Sequence, residues 1–172
     1  PAHGAALARR LEAARHHVRR HALRRVVFGE RPVAVLVVCS TGAIGATGTV
    51  TANDSNFNVG QSWSRADGGT FTLGTSLVTF DETNDGTIDS TTFYDATVNK
   101  TLSTDTMTLA VNAMTVNNDF NMTQGRLITD SSNSYWMIIY GDTVIGANGT
   151  MLTYDSWILM QGHFTNNGTF TQ

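Results

Sequence analysis

The chain has 172 residues, 41% of them hydrophobic and 15% charged, which suffices for one buried core and does not call for a second. Its formal charge of −3 averages two unlike parts: residues 1–31 hold eight Arg against Glu12 and Glu30, a net of +6, while residues 32–172 hold three basic against twelve acidic residues, a net of −9. An acidic main body repels polyanions and argues against nucleic acid as its partner, and the single cysteine, Cys39, excludes an intramolecular disulfide.

Residues 5–25 place Leu7, Leu11, Ala14, Val18 and Ala22 at helical spacing among Arg and His, so a basic amphipathic helix is expected there. Such a helix could touch a membrane surface or an anionic polymer, or cap a solenoid; more plainly, it is the extended n-region of an export signal. Next comes RPVAVLVVCSTGAIGA, residues 31–46, an apolar run followed by small residues. It is similar to a short secretory h-region with a cleavage site near Ala43 or Ala46, and is too short to span a bilayer. If it folds with the rest, VAVLVV is expected as a strand. The leader-like residues 1–46 set the expectation of a secreted or cell-surface protein whose body is 47–172.

From residue 41 the composition changes, with all 26 Thr and all 13 Asn of the chain falling beyond that point. Thr with Val, Ile and aromatics favours strands, and Asn, Gly and Asp favour the corners between them. Short strands are expected at 48–51, 56–59, 69–73, 76–80, 92–98, 106–111, 113–116 and 119–123. They continue at 126–129, 135–140, 143–145, 150–154, 157–160 and 163–165. Corners such as NDG, NND, TQG, ANG and TNNG let one residue adopt the left-handed region.

This pattern serves either an antiparallel sandwich or a parallel solenoid. GTFT at 69–72 returns at 168–171, each copy preceded by an aromatic residue and a polar tract, and an echo of that kind favours the solenoid. The spacing of aromatic and Met positions predicts coils of about 20 to 25 residues, five or six of them in 47–172. Phe57, Phe71, Phe80, Tyr94, Val98, Leu109, Val116, Phe120, Leu127, Ile138 and Leu159 are expected to point inward.

The strings GTFTLGTSLVTFDETNDGTIDSTTFYDATVNKT, LAVNAMTVNNDFNMTQGRLIT and GHFTNNGTFT together resemble the repeat of large secreted or surface-exposed bacterial β-solenoid proteins. The likeness covers about residues 56–130 and 157–172, and departs from the repeat at Asp95-Ala96 and at Ser64 to Asp67. It implies a right-handed parallel β-helix in an adhesin-like or otherwise extracellular protein, with no catalytic residues to carry over. The chain is accordingly read as a repeat segment, with the copy at 168–171 opening a further unit. Self-association through the solenoid ends is expected, and a glycan or cell-surface ligand is the other partner considered.

Several residues invite a chemical reading. In DETNDGTIDSTT, residues 81–92, Asp81, Asp85 and Asp89 take positions 1, 5 and 9 of a calcium loop with Gly86 at the turn. Thr92 stands where a bidentate Glu is required, so the calcium reading is weak and a plain acidic corner is the alternative. His163 is the one histidine outside the basic leader, and no Gly-x-Ser-x-Gly elbow marks a nucleophile. A glycan-active β-helix enzyme, of polysaccharide lyase or hydrolase type, is the runner-up function, with Arg126 and Asp130, or Asp81 and Asp85, as its candidates. The six Met are expected as core fillers. In YWMIIY, residues 135–140, alternate aromatics either line a partner site or are shielded with the rest of the run, and burial is the favoured reading.

Overall fold

The computed structural model describes residues 36–89, 91–110 and 113–172; the helix expected over 5–25 and the first part of the apolar run lie outside them. The described chain forms sixteen strands: β1 (Leu36–Ile44), β2 (Thr49–Thr51), β3 (Asn56–Arg65), β4 (Thr70–Thr72), β5 (Leu77–Phe80), β6 (Gly86–Ile88), β7 (Thr91–Phe93) and β8 (Asp95–Asn99) come first. Then follow β9 (Thr106–Leu109), β10 (Ala113–Val116), β11 (Phe120–Thr129), β12 (Trp136–Ile139), β13 (Thr143–Leu152), β14 (Trp157–Met160), β15 (Phe164–Asn166) and β16 (Thr169–Thr171). Strand pairs are parallel throughout and join each coil to the next, so the chain is a β-solenoid of about six turns rather than a sandwich of hairpins.

Each coil has three faces. The first runs through Phe57, Val78, Ala96, Phe120, Thr143 and Phe164 as successive partners, with coil lengths between 18 residues (Val78 to Ala96) and 24 (Ala96 to Phe120). The second passes through Trp63, Ile88, Leu109 and Thr129. On the third face β2 pairs, among the described residues, with β4 alone, and a separate sheet of β7, β10, β12 and β14 takes over from the third coil onward. Long strands such as β11 and β13 bend between faces at a register shift, where one coil carries an extra residue. Chain reversals use left-handed residues, among them Asn53, Asn84 and Gly74; at Gly74 a Cβ would overlap the backbone of Asn53 in the coil below.

Period-two alternation sends one side of each strand into the interior. Stacked inward rows result: Val59, Phe80, Val98, Met122 and Ile145 in one, and Phe93, Val116, Ile139 and Met160 in another. Met107, Met114, Met122, Met137 and Met151 are fully buried and Met160 packs against the same core, as expected of Met in an irregular interior. Trp63 sits among Phe57, Phe71 and Phe93 in edge-to-face contacts.

Three expectations about the interior need correction. Ile138 and Leu159 belong to the outward row of the third face, because Met137 and Ile139 align with the buried Met114 and Val116 and take the inward positions. Tyr94 is half-buried at the junction of β7 and β8. The two GTFT copies also occupy different places. Thr70–Thr72 pairs with β2 in a two-stranded sheet, whereas Thr169–Thr171 pairs with β13 in the large sheet, so the echo marks a recurring local strand and corner.

Candidate functional site

The corner between the first and second faces holds the acidic segment read as a calcium loop. Asp81 Oδ2 accepts the Asn58 side-chain amide at 2.6 Å from the coil below, and Asp85 Oδ1 accepts the Thr106 backbone N–H at 2.7 Å from the coil above. The two carboxylates thus serve opposite neighbours along the axis, and the Asp89 backbone N–H is bonded to the Trp63 carbonyl. Among the described residues no three His, Cys, Asp or Glu side chains converge as a metal site. Beneath this corner runs Lys100, whose buried side chain crosses two coils to donate from Nζ to the Gly60 carbonyl at 2.5 Å. Burial pushes its pKa down, opposed by the pull of Asp105, Asp81, Glu82 and Asp85, so the acidic corner already has a basic group fixed behind it. Cys39 lies in the same column, and burial with Glu82 and Asp81 nearby raises its thiol to about 11, which leaves it protonated and unreactive near neutral pH.

A second column precedes the first face. Asp95 Oδ1 accepts the Asp119 N–H, Asp119 Oδ1 accepts the Asp142 N–H, and Asp142 Oδ1 accepts the His163 N–H, each at 2.8 or 2.9 Å. One carboxylate per coil caps the corner amide of the next, and His163 occupies the last rung. Its imidazole Nδ1 lies 3.2 Å from Asp142 Oδ1, the one ion pair among the described residues when the ring is protonated. Asp130 is occupied otherwise: it accepts the Ser132 N–H, the Asn133 amide and the Tyr135 hydroxyl, and makes no ion pair with Arg126.

The third face carries a contiguous set of exposed apolar groups, Trp136, Trp157 and Leu159 among them. Its strands stack in register, so outward residues form axial rows: Ala113, Trp136 and Trp157 in one, and Thr92, Thr115, Ile138 and Leu159 in the next. The interstrand spacing of about 4.8 Å forces neighbours in a row against each other. Trp136 and Trp157 respond by stacking, with ring centroids 5.8 Å apart and planes 15° from parallel, while remaining 53% and 66% exposed. Leu159 and Tyr140 are also exposed beside them. This overturns the expectation of burial for YWMIIY: Tyr135, Met137 and Ile139 face inward, and Trp136 and Tyr140 face solvent.

Comparisons with protein-family models, curated proteins and solved structures return no match. Of the candidates read from sequence, the acidic corner and His163 are each tied into axial hydrogen bonding between coils, and Arg126 and Asp130 are not joined. The feature that sequence reading assigned to the interior, and so missed, is the exposed Trp136 and Trp157 row. Its signal was present as a 21-residue echo of Trp followed by alternating apolar residues, Trp136-Met-Ile-Ile and Trp157-Ile-Leu-Met, the two partners later found in register.

Proposed function

We propose that this chain is a non-catalytic, adhesive repeat segment of a secreted or cell-surface protein, a stiff spacer that presents the aromatic row of its third face to another surface. The observation that carries the reading is the Trp136 and Trp157 stack, held in the open where stability gains little from it. Exposed contiguous apolar surface is uncommon on proteins that act alone, and indole rings offer both flat apolar area and an N–H donor to sugars or protein. The neighbouring turn adds Ser131, Asn133 and Ser134 as exposed polar groups at the start of the row. The other polar clusters support the same reading, since their hydrogen bonds run to neighbouring coils. A glycan-active enzyme would need two carboxylates, or a carboxylate and a base, aimed at one bond.

The test is binding of the chain and of Trp136→Ala/Trp157→Ala to a panel of immobilised polysaccharides and cell-wall preparations, with product release assayed in parallel. Retention that is lost in the double variant, with no cleavage, is expected. Cleavage of any glycan would overturn the non-catalytic reading; retention unchanged by the double variant would place adhesion elsewhere.

A further inference from the structure

The geometry points to a ligand site apart from the aromatic row: a cleft on the third face, between the second and third coils, that takes one uronic acid residue of an acidic glycan. There β4 pairs with β2 and β7 with β10, but no pairing joins β4 to β7. It is the one place among the described residues where strands of successive coils on a face stay apart. A space of about 260 Å³ opens in the break, lined by Arg65, Gly69, Thr70, Phe71, Thr91 and Thr92. Main-chain groups line it too. The Thr70 N–H donates to the Gly48 carbonyl and the Phe93 carbonyl accepts the Asn117 N–H, both away from the gap, so alternation turns the N–H and C=O of Phe71 and of Thr92 toward it.

Each wall selects one part of such a ligand. Arg65 Nη1 donates to the Gly69 carbonyl at 2.9 Å, which anchors the guanidinium at the cleft, and the group makes no ion pair among the described residues. An anchored guanidinium with donors to spare matches a planar carboxylate. The threonine hydroxyls, with main-chain donors and acceptors on both sides, suit a ring that bears several hydroxyls, which a simple anion lacks. Phe71 is half-buried with Trp63 packed behind it, ring centroids 4.9 Å apart, and supplies an apolar wall for the C–H face of a sugar. The volume falls just below the lower bound of about 300 Å³ usual for small-molecule sites, so it holds one ring and not a length of chain. This inference does not rest on the adhesive role of the Trp136 and Trp157 row, which stands further along the axis.

The experiment is an NMR titration of the isotope-labelled 172-residue chain with sodium glucuronate and, separately, with a short oligogalacturonate. Glucose and inorganic phosphate at equal ionic strength are the controls. Saturable shifts are expected at the Phe71 and Thr92 amides and at the Trp63 indole N–H, which is buried behind Phe71 without a hydrogen-bond partner among the described residues. Glucose and phosphate are each expected to bind at least about tenfold more weakly, and Arg65→Gln to weaken glucuronate by a similar factor. A response to the oligomer alone identifies a residue within a chain as the ligand; a response to both identifies a free or terminal one. If Arg65→Gln does not fold, the comparison with glucose in the unaltered chain still decides. No saturable shift with either acid, an equal response to glucose or to phosphate, shifts at 136–140 in place of the cleft, or undiminished binding by folded Arg65→Gln would each overturn the proposal.

Discussion

The Nζ of Lys100 donates to the carbonyl of Gly60 at 2.5 Å, a bond that passes beneath an entire intervening coil. A lysine held in this way is a tie between the second and fourth coils. Gly125 of the fifth coil packs directly on its stem, in a left-handed conformation where a Cβ would lie 2.7 Å from Lys100 Cβ. Lys100→Ala removes the donor, leaves the Gly60 carbonyl unpaired and opens a cavity, for an expected loss of about 2–5 kcal/mol. Lys100→Met keeps the stem and is expected to lose less. The pH dependence has a definite sign. Burial lowers the pKa of Lys100 in the folded protein, so just below the ordinary value of 10.5 there is an interval in which the unfolded chain holds more protons. The contribution of Lys100 to stability therefore rises with pH through that interval, and urea melts should show this rise disappear in Lys100→Met.

Phe80 and Phe120 occupy inward rows and are fully buried. Truncating either to Ala is expected to cost about 3–5 kcal/mol, because coils above and below fix the backbone and prevent collapse around the cavity. Leu159→Ala, on the outward row, should cost less than about 1 kcal/mol. Chemical denaturation of the three variants separates inward from outward positions, and a loss for Leu159→Ala as large as for the two Phe variants would mean that the register on the third face is misassigned.

The carboxyl of Asp142 is held below its ordinary value of 3.8, first by the His163 backbone N–H and then by the imidazole. Because the folded value is the lower one, the stabilising contribution exists above the unfolded pKa and is lost as pH falls through the folded one. Both side chains are exposed, so the effect is small and best read locally. A carboxyl titration by NMR should place Asp142 below 3.8, and His163→Ala should leave most of the depression intact, since the leading cause is a backbone amide. A full return to the ordinary value in that variant would assign the effect to the ring.

For the acidic corner, millimolar calcium is expected to leave the melting temperature unchanged. Asp81 and Asp85 are committed to opposite neighbours, and the Lys100 amine already lies close enough to feel their charge. An ion that bound only the folded form would raise stability by mass action. A rise that disappears in Asp81→Ala and Asp85→Ala would restore the calcium loop.

The class of fold was legible because strand-forming residues alternate with Gly and Asn corners and because short motifs return with similar neighbours. Register was legible wherever inward and outward residues differ in polarity, as in Asn56-Phe57-Asn58-Val59. It failed in Trp136 to Ile139 and Trp157 to Met160, where both alternating sets are apolar and a shift of one residue costs no polarity. There the inward set is decided by alignment with Met114 and Val116 in the coil below, a contact between residues more than twenty positions apart. The role of Lys100 was hidden for a related reason: a lone Lys beside Asn99 reads as a solvated corner until the coils are stacked.

The stacked rows and columns require a fixed rise of one strand spacing per coil. Thr87, Thr108, Ile128, Leu152 and Thr171 follow one another on the second face as successive partners, and they give a direct ruler. Spin labels placed at Thr171 and, in turn, at Leu152, Ile128, Thr108 and Thr87 are to be measured by electron spin resonance, with the shorter pairs read from line broadening. The solenoid predicts backbone separations that grow by about 4.8 Å per step, to roughly 19 Å for the pair Thr87 and Thr171. Distances that alternate or level off along the series would show that consecutive strands fold back on each other, and would contradict the solenoid together with the surfaces argued from it.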